Sequence, residues 1–338
     1  MSAVPPSFRP RGAGTGLGPV PGADAAAAVA LAVTGTPELP FWPSLTEQPA
    51  AGAAEQPAAG APAEAPDRLW AGGLPGVAVE AGRPVWVGRS KAPGRTSPPA
   101  EAVGTLEPFL KALAGLAPGW CLLPARGPVT LALAIDAGGQ PAFTVPSARG
   151  PFGLGYAARL RSLVTRVREA LPAWKLVLLL DEPGLGDERV AARPNLATGL
   201  WRDLGATGAE ITGVRLGQAP VPGTWPLVLD LDPRLVAFDA VEGGDQATDD
   251  PAFRRLVQGG TAVAWGLVDE DTGGPEALAR RLVDLVTWTA GDYLPELMAR
   301  SLVTPTGGLE GLSPEQAAGR LALAAAVAAP ARDLAGLP

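Results

Sequence analysis

The stretch Leu176-Val177-Leu178-Leu179-Leu180-Asp181-Glu182-Pro183 decides how this chain is read. Five consecutive apolar residues without polar alternation describe a strand buried on both faces, as in a parallel sheet, and the two carboxylates and the proline mark its C-terminal end. Working outward, similar runs end near Arg215, Asp239, Val268 and Thr304, and Trp120 to Ile135 holds another, broken at Gly127-Pro128. Val77, Val79, Val85 and Val87 make Leu74 to Val87 further strand material, and Gly12 to Val20 reads as a Gly-rich strand or turn.

Helical sequence lies between these runs. Ala25 to Val33 and Glu101 to Ala114 read as helices, and Leu160, Leu163, Val164, Val167 and Leu171 recur at helical spacing among Arg159, Arg161, Arg166 and Arg168, an amphipathic pattern. Ser313-Pro314-Glu315-Gln316 is a capping box with proline at the first helical position. About eight strands alternating with helices predict an α/β fold, a single (β/α)8 TIM barrel over residues 12–335 behind a flexible start at 1–11. Glu47-Gln48-Pro49-Ala50-Ala51-Gly52-Ala53 recurs unchanged as residues 55–61, so 47–66 is expected to be a low-complexity loop insertion, dispensable for folding.

Composition bounds the chemistry. The 338 residues hold 47% hydrophobic and 18% charged side chains, enough for a large core, and 44 Gly with 38 Pro imply many loops. With 27 Lys+Arg against 34 Asp+Glu the net charge is −7, which argues against a nucleic-acid binder. Histidine is absent, which removes His-dependent triads, imidazole bases and His-ligated metals. The single cysteine, Cys121, lies in an apolar run and reads as a buried structural residue. Met1 to Gly12 carries no apolar secretory core, and the Ala-rich stretches 25–33 and 321–329 are too short to span a bilayer, so a cytoplasmic protein without membrane contact is expected.

In a barrel of this kind the working residues follow the strands. That rule selects Thr15 to Pro21, Gly127 to Thr130, Asp181 to Gly184, Arg215 to Gly217, Asp239, Gly266 to Asp271 and Thr304 to Gly308. Gly14, Gly16 and Gly18 do not form a dinucleotide fingerprint, because Pro19 and Pro21 occupy the candidate third-glycine positions. Glu242, Asp245, Asp249 and Asp250 lack the spacing of a calcium loop and read as a solvated acidic loop. Asp181 and Glu182 are the acid/base candidates, since adjacent carboxylates at a barrel mouth must be used or paired. Arg215 either pairs with Asp181 or holds an anionic ligand.

Four blocks, Gly16-Leu17-Gly18-Pro19-Val20-Pro21-Gly22, Gly127-Pro128-Val129-Thr130-Leu131, Asp181-Glu182-Pro183 and Thr304-Pro305-Thr306-Gly307-Gly308-Leu309, stand in one order along the chain. Together they resemble the catalytic barrel of cobalamin-independent methionine synthases, and more distantly uroporphyrinogen decarboxylase. The resemblance implies a short relative without that family's separate N-terminal barrel. The family binds zinc through a His-x-Cys, a Glu and a Cys, and the zinc activates a homocysteine thiol. Here those positions read Arg215, Gly217, Asp239 and Gly307, so no metal site is expected. By the same resemblance Asp181 would contact a substrate amino group, Pro19 replaces a serine that faces the substrate carboxylate, and no counterpart of the family's second-strand glutamate stands in Leu74 to Val87.

Two functions follow. One is a methyl or other one-carbon transferase without protein-bound zinc, in which Asp181, Arg215, Asp239, Thr130 and Thr304 bind an anionic or amino-acid-like small molecule and a folate or corrinoid supplies the methyl group. The other is a catalytically silent barrel that binds a small molecule or a partner protein, a corrinoid protein among the candidates.

Overall fold

The computed structural model describes residues 5, 8–22, 24–46, 74, 76–81, 83–88, 100–217, 220–221, 223–270, 273–291 and 294–337; the 47–66 insertion lies outside them. Its strands are β1 (Ala13–Gly14), β2 (Pro19–Pro21), β3 (Ser44–Thr46), β4 (Val77–Glu80), β5 (Arg83–Trp86), β6 (Trp120–Arg126), β7 (Lys175–Asp181), β8 (Ile211–Arg215), β9 (Leu235–Asp239), β10 (Ala262–Val268) and β11 (Ser301–Pro305). Among the described residues seven of them form one sheet in the order β1-β11-β10-β9-β8-β7-β6, and each neighbouring pair is parallel.

Alternation along these strands feeds two cores, as the period of two requires. On β7, Leu176, Leu178 and Leu180 join the larger core, whereas Val177 and Leu179 join the smaller one. Ala13 from β1 and Leu122 from β6 also share that smaller core, although their strands are at opposite ends of the sheet. The sheet is therefore curled, with the smaller core inside the curl and the larger one between the sheet and the helices.

Backbone contacts continue beyond both sheet ends. Phe41 bridges Leu122 in parallel, with the Trp42 N–H donating to the Leu122 carbonyl at 2.8 Å and the Leu122 N–H to the Pro40 carbonyl at 2.9 Å. β2 pairs in parallel with β3, and the Thr15 hydroxyl donates to the Leu39 carbonyl at 2.9 Å. The chain is anchored from Phe8 onward, whose ring is 1% exposed and packs edge-on against Trp120.

Leu74 to Val87 corrects an expectation. Val77, Val79 and Val85 do lie in strands and Val87 just beyond one, but β4 and β5 form an antiparallel pair of their own, with Val77 opposite Trp86, and contribute nothing to the main sheet. A period-two pattern specifies a strand and not its partner. The acidic stretch 242–250 is likewise no loop: Ala240–Asp249 is helical, and Asp250 caps Pro251–Gln258 by accepting from the Ala252 N–H.

The helices follow their sequence signals. Ser313 caps Pro314–Ala326 through a complete capping box with Gln316. The amphipathic stretch is part of Pro146–Ala170 and buries Leu160, Leu163, Val164 and Val167. Arg159 is also buried, at 1% exposure, and desolvation pulls its guanidinium down to about 10. Cys121 is buried in β6, where desolvation pushes its thiol up to about 12. No helix among the described residues is long and apolar enough to cross a membrane.

Candidate functional site

Register alone brings three charges together. Arg126 stands opposite Asp181, and Asp181 opposite Arg215, at the C-terminal ends of β6, β7 and β8. The Arg126 guanidinium donates to one Asp181 oxygen at 2.5 Å and the Arg215 guanidinium to the other at 3.4 Å. The side chains are mostly enclosed, with exposures of 9% for Arg126, 12% for Arg215 and 21% for Asp181. Arg215 fits because the chain around it has no side chains: a Cβ on Gly18 or Gly308 would lie 3.4 or 3.0 Å from its nitrogens, and both glycines have positive φ.

Asp239 completes the mouth from β9. One carboxylate oxygen accepts the Val241 and Glu242 N–H groups at 2.9 and 3.3 Å, capping the helix that starts at Ala240, and the other accepts the Thr306 hydroxyl. Arg215, Asp239, Thr304 and Thr306 border one central cavity of about 10 Å³, scarcely the room for a single water.

Glu182 and Thr130 go elsewhere. Asp181, the last residue of β7, faces the mouth, and Glu182, just past the strand, turns to the opposite side, onto the start of the helix Pro128–Ala134. There its carboxylate, 0% exposed, accepts from the Val129 N–H at 2.9 Å and from the Thr130 N–H and hydroxyl, each at 2.7 Å. That helix has Gly127 at its N-cap and no side-chain cap of its own, so Glu182 satisfies donors the sequence leaves open. Only glycine fits at 127, since a Cβ there would fall 2.0 Å from the Glu182 carboxyl carbon. Burial raises the Glu182 carboxyl to about 7, against the lowering effect of those hydrogen bonds and of Arg126.

Asp181, Arg215, Asp239 and Thr304 thus gather at the mouth, while Thr130 and Glu182 form a buried staple beside it. Sequence reading missed Arg126; Thr306 lies within the Thr304 to Gly308 stretch that it selects, without being singled out there. The signal for Arg126 is that it ends its apolar run as Asp181 and Arg215 end theirs, one residue before the Gly127 to Thr130 stretch.

The four positions that the resemblance equates with zinc ligands do not fit that ion. Arg215 is a fixed cation, Gly217 and Gly307 offer no side-chain donor, and Asp239 is engaged by a helix start and Thr306. Among the described residues no three Cys, Asp or Glu side chains converge as a metal site.

No family model matches the chain, and no curated protein matches its sequence. Among solved structures it is similar to a B12-independent methionine synthase from Shewanella sp. W3-18-1 in complex with selenomethionine, with 14% identity, TM-score 0.50, and coverage of 75% of this chain and 72% of that one. It is also similar to a methyltransferase from Methanosarcina mazei, with 11% identity, TM-score 0.50, and coverage of 92% and 83%. At such identities the likeness shows the fold alone, a curled parallel α/β sheet of the kind these methyl-transfer proteins have.

Proposed function

We propose that this chain is a methionine synthase-like barrel that binds a small anionic or amino-acid-like molecule at its mouth and takes part in one-carbon transfer without protein-bound zinc. The fold belongs to this proposal as a closed eight-stranded barrel: β1 with β2 serves as one strand, Phe41 with β3 as the next, and the contacts of Phe41 with Leu122 and of β2 with β3 close the ring. One observation carries the functional part. The mouth holds two guanidiniums and two carboxylates on neighbouring strand ends, and the Arg215 contact is the longer of the two ion pairs that Asp181 makes. An incoming carboxylate can therefore take Arg215 while Asp181 keeps Arg126, and the freed Asp181 oxygen meets the ligand's amino group. The donor set supports the absence of zinc, and a folate or corrinoid, free or on a partner protein, is the class of methyl donor this reading requires.

A second reading, a silent binder of a small molecule or protein partner, is favoured by the mouth's small void and by the engagement of all its charges. One experiment separates the two. The protein, washed with chelator, is titrated with methionine and homocysteine, then incubated with homocysteine and labelled methylfolate or methylcobamide. Saturable binding lost in Arg215→Ala, with label reaching the thiol, supports the transferase; binding without transfer supports the silent barrel. Absence of saturable binding overturns the ligand-binding mouth.

A further inference from the structure

We infer that a second pocket, outside the curled sheet, is a ligand site for a small uncharged molecule with an apolar body and one hydrogen-bonding group. Pro183, Leu185, Leu216, Val221 and Thr224 wall a cavity of about 160 Å³, far larger than the void at the mouth. An apolar cavity of roughly 150 Å³ is known to hold benzene, so six to eight heavy atoms fit. Leu216 places the pocket on the other side of the strand end from the mouth: it belongs to the outer core, whereas Arg215 and Gly217 border the inner cavity.

Its chemistry follows from what lines it. Thr224 is 5% exposed, and its hydroxyl makes no hydrogen bond to another described residue, which leaves it as a polar anchor on a wall where Pro, Leu and Val side chains alternate with exposed polar groups. Glu182 is the ionisable residue in the lining, but its oxygens accept from Val129 and Thr130, so a charged ligand would shed water here without gaining a counter-charge. Val221, 48% exposed, forms the rim. Gly186 forms the facing wall, where an added Cβ would meet only the Val221 methyl at 3.5 Å.

Phenol is the probe, titrated into the full chain and followed by calorimetry and ligand-observed NMR, with benzoate as its charged counterpart. The expected result is saturable phenol binding in the millimolar range, with benzoate at least tenfold weaker. Gly186→Val, which grows into the cavity, should weaken phenol at least tenfold; Val221→Trp, at a position 48% exposed, should do the same by covering the rim, with a thermal melt of each variant showing that it is folded. Arg215→Ala should change phenol binding less than twofold, so failure here and failure of the mouth are distinct. Absence of saturable phenol binding, equal binding of benzoate, or unchanged affinity in Val221→Trp would overturn the assignment.

Discussion

Arg126 and Asp181, paired across β6 and β7, form an ion pair of 2.5 Å, and this contact rather than the 3.4 Å contact with Arg215 holds the carboxylate in place. The two arginines should therefore differ when removed. Arg126→Ala leaves a largely enclosed carboxylate with its weaker partner and should cost about 3 kcal/mol. Arg215→Ala leaves the short pair intact and should cost about 1 kcal/mol or less. Urea unfolding of both variants, combined with Asp181→Asn, measures the two couplings; equal losses would mean that Arg215 is a structural partner and not a ligand-binding group.

Glu182 should make stability depend on pH. Its carboxyl rises from the ordinary 4.5 to about 7 in the folded chain, chiefly through burial. The folded state thus keeps this proton to higher pH than the unfolded state, and the associated stability is complete below pH 4.5 and lost as pH climbs through 7. At about 1.4 kcal/mol per pKa unit, the full change is about 3 kcal/mol. Glu182→Gln cannot titrate and turns an amide toward N–H donors, so it should be less stable than the parent, with a deficit that shrinks between pH 5 and pH 8. Unfolding curves at the two pH values test this, and a deficit that grows with pH contradicts it.

The strand ends were legible where apolar runs stop at a charge: Asp181, Arg215 and Asp239 each end their strand. The segment pairing with β6 was not, because Pro40 and Pro43 flank Phe41 and Trp42 and break the pattern that marks a strand. The β4–β5 pair filled that gap by showing the same alternation without the same partner. Alternation also held the fate of Glu182, one residue past the end of β7, since two adjacent residues of extended chain cannot both face the mouth. Its partners Val129 and Thr130, by contrast, depend on the packing of a separate helix start, which local sequence does not specify.

Asp239 should act as a cap before it acts on any ligand. Removing its carboxylate in Asp239→Ala frees the Val241 and Glu242 N–H groups and the Thr306 hydroxyl, and the loss of such a cap costs about 1–2 kcal/mol. Asp239→Asn keeps an acceptor oxygen and should recover more than half of that loss. Thermal melts with hydrogen exchange at Val241 read both effects; faster exchange at Val241 in the alanine variant alone is the expected signature.

Introducing zinc-ligand side chains by Arg215→His, Gly217→Cys and Gly307→Cys should not create a zinc site. Gly217 and Gly307 have φ of +78° and +63°, where a side chain strains the backbone by about 1–2 kcal/mol each. The two positions differ in space. A Cβ at Gly307 meets nothing within 4 Å, whereas one at Gly217 lies 3.2 Å from the Pro183 Cβ, so Pro183 must yield by a few tenths of an ångström. Replacing Arg215 also removes a partner of Asp181, and Asp239 can turn toward a metal only by giving up its helix cap and Thr306. The four costs oppose the same event, and zinc binding must exceed their sum before the site closes. The triple variant is therefore expected to melt below the parent and to hold well under one zinc per chain after a chelator wash. Elemental analysis at one zinc per chain, with no loss in melting temperature, would show that the mouth has the geometry of a metal site.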